Sequence, residues 1–112
     1  MATLHKGENI AVPNYVTLAK ASDIRSGRGK ALTFKGRRIA VFNDNGDFCA
    51  LSNICAHAMG SLAKGRVRNG AVTCPVHGYV YDAKTGACQT DTRLRVEAYE
   101  IIVDDGEVKI VE

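Results

Sequence analysis

A chain of 112 residues, 46% hydrophobic and 24% charged, has the make-up of one folded domain and is too short to carry a second catalytic one. Fifteen basic against twelve acidic residues leave a formal charge of +3, dispersed and not interleaved with aromatic groups, which gives nucleic-acid binding little support. No run approaches the roughly 18 apolar residues of a membrane helix, and the N-terminus has no basic segment leading into an apolar stretch, so neither a membrane nor an export signal is expected and the location reads as cytoplasmic.

Residues 1 to about 12 read as a flexible lead-in. From there, apolar residues alternate with period two and no long helical stripe with caps occurs, so the chain reads as all-β. The expected strands cover 15–19, 30–34, 37–43, 46–52, 66–68, 71–74, 80–82, 95–103 and 107–111, with one helical turn at Ser22-Asp23-Ile24-Arg25 capped by Ser22 or Asp23. Turn signals separate the strands: Lys35-Gly36, Asn43-Asp44-Asn45-Gly46, Asn69-Gly70, Lys84-Thr85-Gly86 and Asp104-Asp105-Gly106. Strands on both sides of the segment 53–87 suggest a base sheet, built from the first half and the final hairpin, that carries this segment as an inserted subdomain.

The chemistry is concentrated in that insertion. Cys55-Ala56-His57 is followed, after a gap of sixteen residues, by Cys74-Pro75-Val76-His77, so each of two short loops supplies one thiol and one imidazole. Two sulfur and two nitrogen ligands make a metal site. Such a set can hold a single tetrahedral zinc, or a [2Fe-2S] cluster in which the thiolates take one iron and the imidazoles the other. Zinc-finger spacing groups its two Cys and its two His, whereas one of each per loop suits a two-iron site. The other cysteines, Cys49 and Cys88, lie in a chain without an export signal and read as small buried hydrophobes, not as half-disulfides.

The flanks sharpen the choice. Gly60 and Gly65 follow the first pair, and the second runs on as Gly78-Tyr79-Val80-Tyr81-Asp82 and then Thr85-Gly86. C-x-H, a spacer of this length, then C-P-x-H-G with an aromatic, an Asp and a Thr-Gly turn resembles the Rieske iron-sulfur family. The resemblance implies two packed antiparallel sheets with an inserted cluster-binding lobe. It makes 1–112 a single domain, with the lobe over about 53–87 and the base over about 13–52 and 88–112. It implies one [2Fe-2S] cluster on Cys55, His57, Cys74 and His77. Two thiolates bring an oxidised core of charge +2 to neutrality, so an electron enters more easily than in an all-Cys cluster, at a potential of roughly −150 to +300 mV.

Members of the family in respiratory and photosynthetic complexes carry an extra Cys in each ligand loop, joined as a disulfide, and a Ser after the second H-G. Here Gly60, Val76 and Tyr79 stand at those positions, which places the chain nearer the low-potential ferredoxin branch. Tyr81 matches a Tyr that, in the high-potential branch, donates a hydrogen bond to a ligand sulfur; the other reading makes it a packed aromatic.

Counting histidines excludes a terminal oxygenase, because its mononuclear iron needs two more His and only His5 is left. Gly27-Arg28-Gly29 breaks off before a dinucleotide fingerprint forms. What remains is a one-electron carrier between a flavin-dependent reductase and a terminal oxygenase, with no enzymatic activity of its own. The alternatives are a redox subunit of a larger enzyme, such as the small subunit of a nitrite reductase, and a structural zinc module. Lys64, Arg66 and Arg68, between the ligand loops, read first as a solvated hairpin face and second as a docking patch for an acidic partner.

Overall fold

The structure, a computed structural model, describes residues 14–55 and 60–112; the lead-in over 1–12, His5 and His57 fall outside the described residues. In chain order the strands are β1 (Tyr15–Lys20), β2 (Arg28–Phe34), β3 (Arg37–Asp44), β4 (Asp47–Ser52), β5 (Arg66–Arg68), β6 (Ala71–Thr73), β7 (Val80–Asp82), β8 (Ala98–Tyr99), β9 (Ile101–Asp104) and β10 (Glu107–Val111). Four hairpins are closed by Lys35-Gly36, Asn45-Gly46, Asn69-Gly70 and Asp105-Gly106, and both residues of every pair have positive φ. That is the mirror-image turn whose twist matches the flanking strands, and it is why these dipeptides are readable signals.

The strands form three antiparallel sheets, ordered β1-β10-β9, β2-β3-β4-β8 and β5-β6-β7. The base is therefore two sheets, not the one that strand patterning suggested, and the third belongs to the insertion. β3 ties the layers together: Ile39, Ala40, Val41 and Phe42 are all fully buried, so both faces of the strand are covered. Its alternate residues point to opposite sides. Ile39 and Val41 pack with Val108 and Ile110 of β10 between the base sheets, whereas Ala40 and Phe42 join Leu51, Leu62, Val67, Val72 and Tyr81 under the insertion.

Two expectations are corrected. The strand over 95–103 is two strands: Ala98 pairs with Leu51 of β4, while Ile101 pairs with Ile110 of β10, and the chain changes sheets at Glu100. A segment shared by two packed sheets has to break its ladder where it crosses between them. The helical turn forms one residue earlier, over Ala21–Asp23, with Lys20 and not Ser22 or Asp23 at the N-cap; Asp23 contributes from the third position, its carboxylate accepting from the Lys20 N–H at 3.4 Å.

Asn53, between β4 and the first ligand loop, is 2% exposed and acts as a polar clamp. Its Oδ1 accepts from the Ala63 N–H (2.9 Å) and the Ser61 hydroxyl (3.2 Å), while its C=O accepts from the Leu62 N–H at 2.8 Å. Replacing it by alanine strands the buried Ala63 N–H, so Asn53→Ala is expected to cost about 2–3 kcal/mol in denaturant unfolding.

Candidate metal centre

Cys55 follows β4 and Cys74 follows β6, and both are fully buried. Each opens a loop closed in the same way: the Cys55 N–H donates to the Gly60 C=O at 2.8 Å, and the Cys74 N–H to the Tyr79 C=O at 2.7 Å. Gly60 brings the loops together. A Cβ placed there would lie 2.6 Å from Val76 Cγ2, closer than side chains approach, while Cys74 Sγ at 3.5 Å would be in ordinary contact. Glycine is thus required at this position by the close approach of the second loop. The two residues at the positions where the resemblance implies a disulfide in other proteins do face each other, and packing of Val76 against a bare backbone holds the loops there.

Two donors surround the sulfurs. Tyr81, in the middle of β7 and fully buried, has its hydroxyl 3.0 Å from Cys55 Sγ; toward a thiolate that hydroxyl is the donor. The Val76 N–H donates to Cys74 Sγ at 3.4 Å. Both readings of Tyr81 therefore hold at once, packed aromatic and sulfur donor. Burial pushes the Cys74 thiol up, the Val76 N–H draws it partly back, and the adjacent Cys55 thiol raises it further. Two thiols this deep ionise when a cation arrives to take their charge.

His77 sits at the other end of the second loop, exposed, with φ +66° and followed by Gly78 at φ +72°. Two successive left-handed residues turn the chain back toward β7 and leave the imidazole at the molecular surface. The structure brings together Cys55 and Cys74; His77, at the exposed end of the Cys74 loop, does not join them in a three-residue ligand group among the described residues, and His57 lies outside those residues. Cys49 and Cys88 are 5% and 2% exposed and in no disulfide, as expected of small buried hydrophobes. Burial pushes Cys49 up to about 11.

Sequence reasoning missed Asn53 and the Val76 amide. A lone Asn at a strand end carries no signal of burial, and a backbone donor has no residue-type signature. It also left Asp82 without a role. Asp82 Oδ1 accepts from the Lys84 and Thr85 N–H groups, both at 2.9 Å, and fixes the turn behind β7. The Thr85 and Lys84 amides hold its carboxyl below the ordinary value of 3.8. A depressed carboxyl contributes stability that is complete above its unfolded value and lost as pH falls through the lower folded one. Acid titration of stability below about pH 4 should therefore be steeper in the native protein than in Asp82→Asn, which keeps an acceptor but no charge.

The donor set fits the thiolate end of a metal group: two adjacent buried sulfurs, each met by a hydrogen-bond donor. The comparisons agree. The Rieske [2Fe-2S] domain family matches residues 14–100. The anthranilate 1,2-dioxygenase ferredoxin subunit of Burkholderia cepacia is 36% identical over 74 residues, covering 64% of this chain and 68% of that protein. The cytochrome b6-f complex iron-sulfur subunit of Chlorobaculum tepidum is 27% identical over 92% of this chain, which spans 56% of that relative's length. In structure, a ferredoxin of Sphingomonas yanoikuyae B1 superposes with a TM-score of 0.79 at 26% identity, covering 88% of this chain and 99% of its own. The small subunit of an NADH-dependent nitrite reductase from Mycobacterium tuberculosis shares the fold, with a TM-score of 0.80 at 22% identity over 91% of this chain and 97% of its own. Among the described residues no helix is long and apolar enough to cross a membrane.

Proposed function

The chain belongs to the Rieske [2Fe-2S] domain family, and on that premise we propose that it is a cytoplasmic one-electron carrier that takes electrons from a flavin-dependent reductase and delivers them to a terminal oxygenase. The observation that carries the reading is the pair of adjacent buried sulfurs of Cys55 and Cys74 with the Tyr81 hydroxyl 3.0 Å from the first. Similarity to ferredoxin components of dioxygenase systems supports the direction of transfer, and the oxygenase as acceptor. A solved complex of oxygenase and ferredoxin in carbazole 1,9a-dioxygenase, with a ferredoxin-like chain at 25% identity, supports it further.

In this reading Cys55, His57, Cys74 and His77 hold the cluster, residues 53–87 form the lobe that surrounds it, and 13–52 with 88–112 form the base of a single domain. A [2Fe-2S] cluster, when bound, takes up and releases one electron. The chain's own residues do the rest. Tyr81 and the Val76 N–H direct hydrogen-bond donors at sulfur, where negative charge grows on reduction. Cys55 and Cys74 are themselves fully buried, and His77 offers an exposed edge for exchange with a partner. Iron and acid-labile sulfide analysis of anaerobically purified protein tests the reading. Iron and sulfide in equal amount, a red-brown colour and a rhombic electron paramagnetic resonance signal on reduction are expected; a colourless protein containing zinc alone would replace the carrier with a structural module.

A further inference from the structure

Beside the second ligand loop runs an open groove of about 770 Å³, lined among others by Lys64, Arg66, Arg68, Thr73 and Pro75. Its charge follows from strand geometry. Arg66 and Arg68 flank Val67, which is 3% exposed and faces the core, so both guanidinium groups belong to the opposite, solvent side of β5. Arg66 is the register partner of Thr73, the residue before Cys74. Elsewhere, Lys35, Arg37, Lys84, Arg93 and Lys109 each reach a carboxylate. Lys64, Arg66 and Arg68 reach none among the described residues. Among the described residues the one acid in the lining, Asp44, is held by the Asn69 and Gly70 N–H groups at 3.2 and 2.7 Å.

We propose that this groove receives a carboxylate-bearing loop of an acidic partner protein, seating the partner alongside Cys74. This goes beyond a generic solvated face, because three uncompensated cations on one concave surface repel one another and are stabilised by an incoming anion. That the occupant is a protein rests on the carrier reading. The groove itself argues against nucleic acid: among the described residues no aromatic side chain lines it for base stacking, and three cations are few for a phosphate backbone. Surface charges of this kind act mainly on association rate and salt dependence.

The test uses the holoprotein and fluorescein-labelled hexaglutamate as probe, followed by fluorescence anisotropy at about 20 mM and about 200 mM salt, where screening differs. Hexaglutamate is expected to bind the native protein and to weaken with salt. The Lys64→Gln/Arg66→Gln/Arg68→Gln variant should bind on the order of tenfold more weakly at low salt, while Lys35→Gln/Lys109→Gln, altered on the base, should bind like the native protein. Equal binding by native and triple variant would overturn the groove. A DNA duplex, or inorganic phosphate, binding as tightly as hexaglutamate would overturn the assignment to an acidic protein. Iron content and dithionite reduction of the same samples report on the carrier reading separately, so the failure of one is not mistaken for the failure of the other.

Discussion

Cys74→Ser is expected to yield a protein that has lost its iron and sulfide, whereas Cys49→Ser and Cys88→Ser keep both. Serine preserves the shape of the side chain, so the comparison isolates the sulfur. A thiolate is a soft ligand that the hydroxyl does not replace at neutral pH, and the loss should exceed the roughly 10–100-fold by which removing a supporting hydrogen bond weakens a metal site. The depth of Cys74 adds to the effect. It is fully buried close to Gly60, so a replacement ligand would have to reach a position shut off from solvent. The two control cysteines are buried as well, which shows that burial alone does not mark a ligand; Cys49 packs with Phe42 and Leu51 under the insertion. Iron and sulfide analysis with the visible spectrum of each purified variant reads the result. A red-brown Cys74→Ser protein with full iron content would remove Cys74 from the ligand set.

That the two sulfurs come together was legible in the sequence because the spacing and the flanks of both loops were. Cys74-Pro75-Val76-His77-Gly78 needs a tight reversal, and His77 and Gly78 supply it with consecutive positive φ. The hairpins were equally open, since Asn-Gly and Asp-Gly pairs have few other conformations in which they serve as well. Partner choice was not. The apolar alternation over 95–103 says that residues are half-buried, and says nothing of which sheet buries them, so the break at Glu100 left no trace. Nor did Asn53, whose burial depends on Ala63 arriving from another loop. Glycine at 60 could be read as an absent cysteine; that Val76 occupies the space beside it is a tertiary fact.

Tyr81→Phe is expected to lower the reduction potential by roughly 40–60 mV, the equivalent of about 1 kcal/mol for a one-electron couple. The sign follows from where charge accumulates. An added electron makes the ligand sulfur a better acceptor, so the hydrogen bond from Tyr81 stabilises the reduced form more than the oxidised one. Removing the hydroxyl withdraws that difference and makes reduction harder. The ring carries a separate contribution. Tyr81 is the largest fully buried side chain, packed with the residues that roof β3, and its neighbours cannot all move in to fill the space. Tyr81→Ala should therefore cost about 3–5 kcal/mol in unfolding free energy, against about 1 kcal/mol for Tyr81→Phe, which keeps the packing and loses one bond. Protein-film voltammetry and denaturant unfolding separate the two effects. A potential unchanged in Tyr81→Phe would show that the hydroxyl does not act on Cys55. A stability unchanged in Tyr81→Ala would show that the lobe does not depend on the ring that joins β7 to the sheet beneath it.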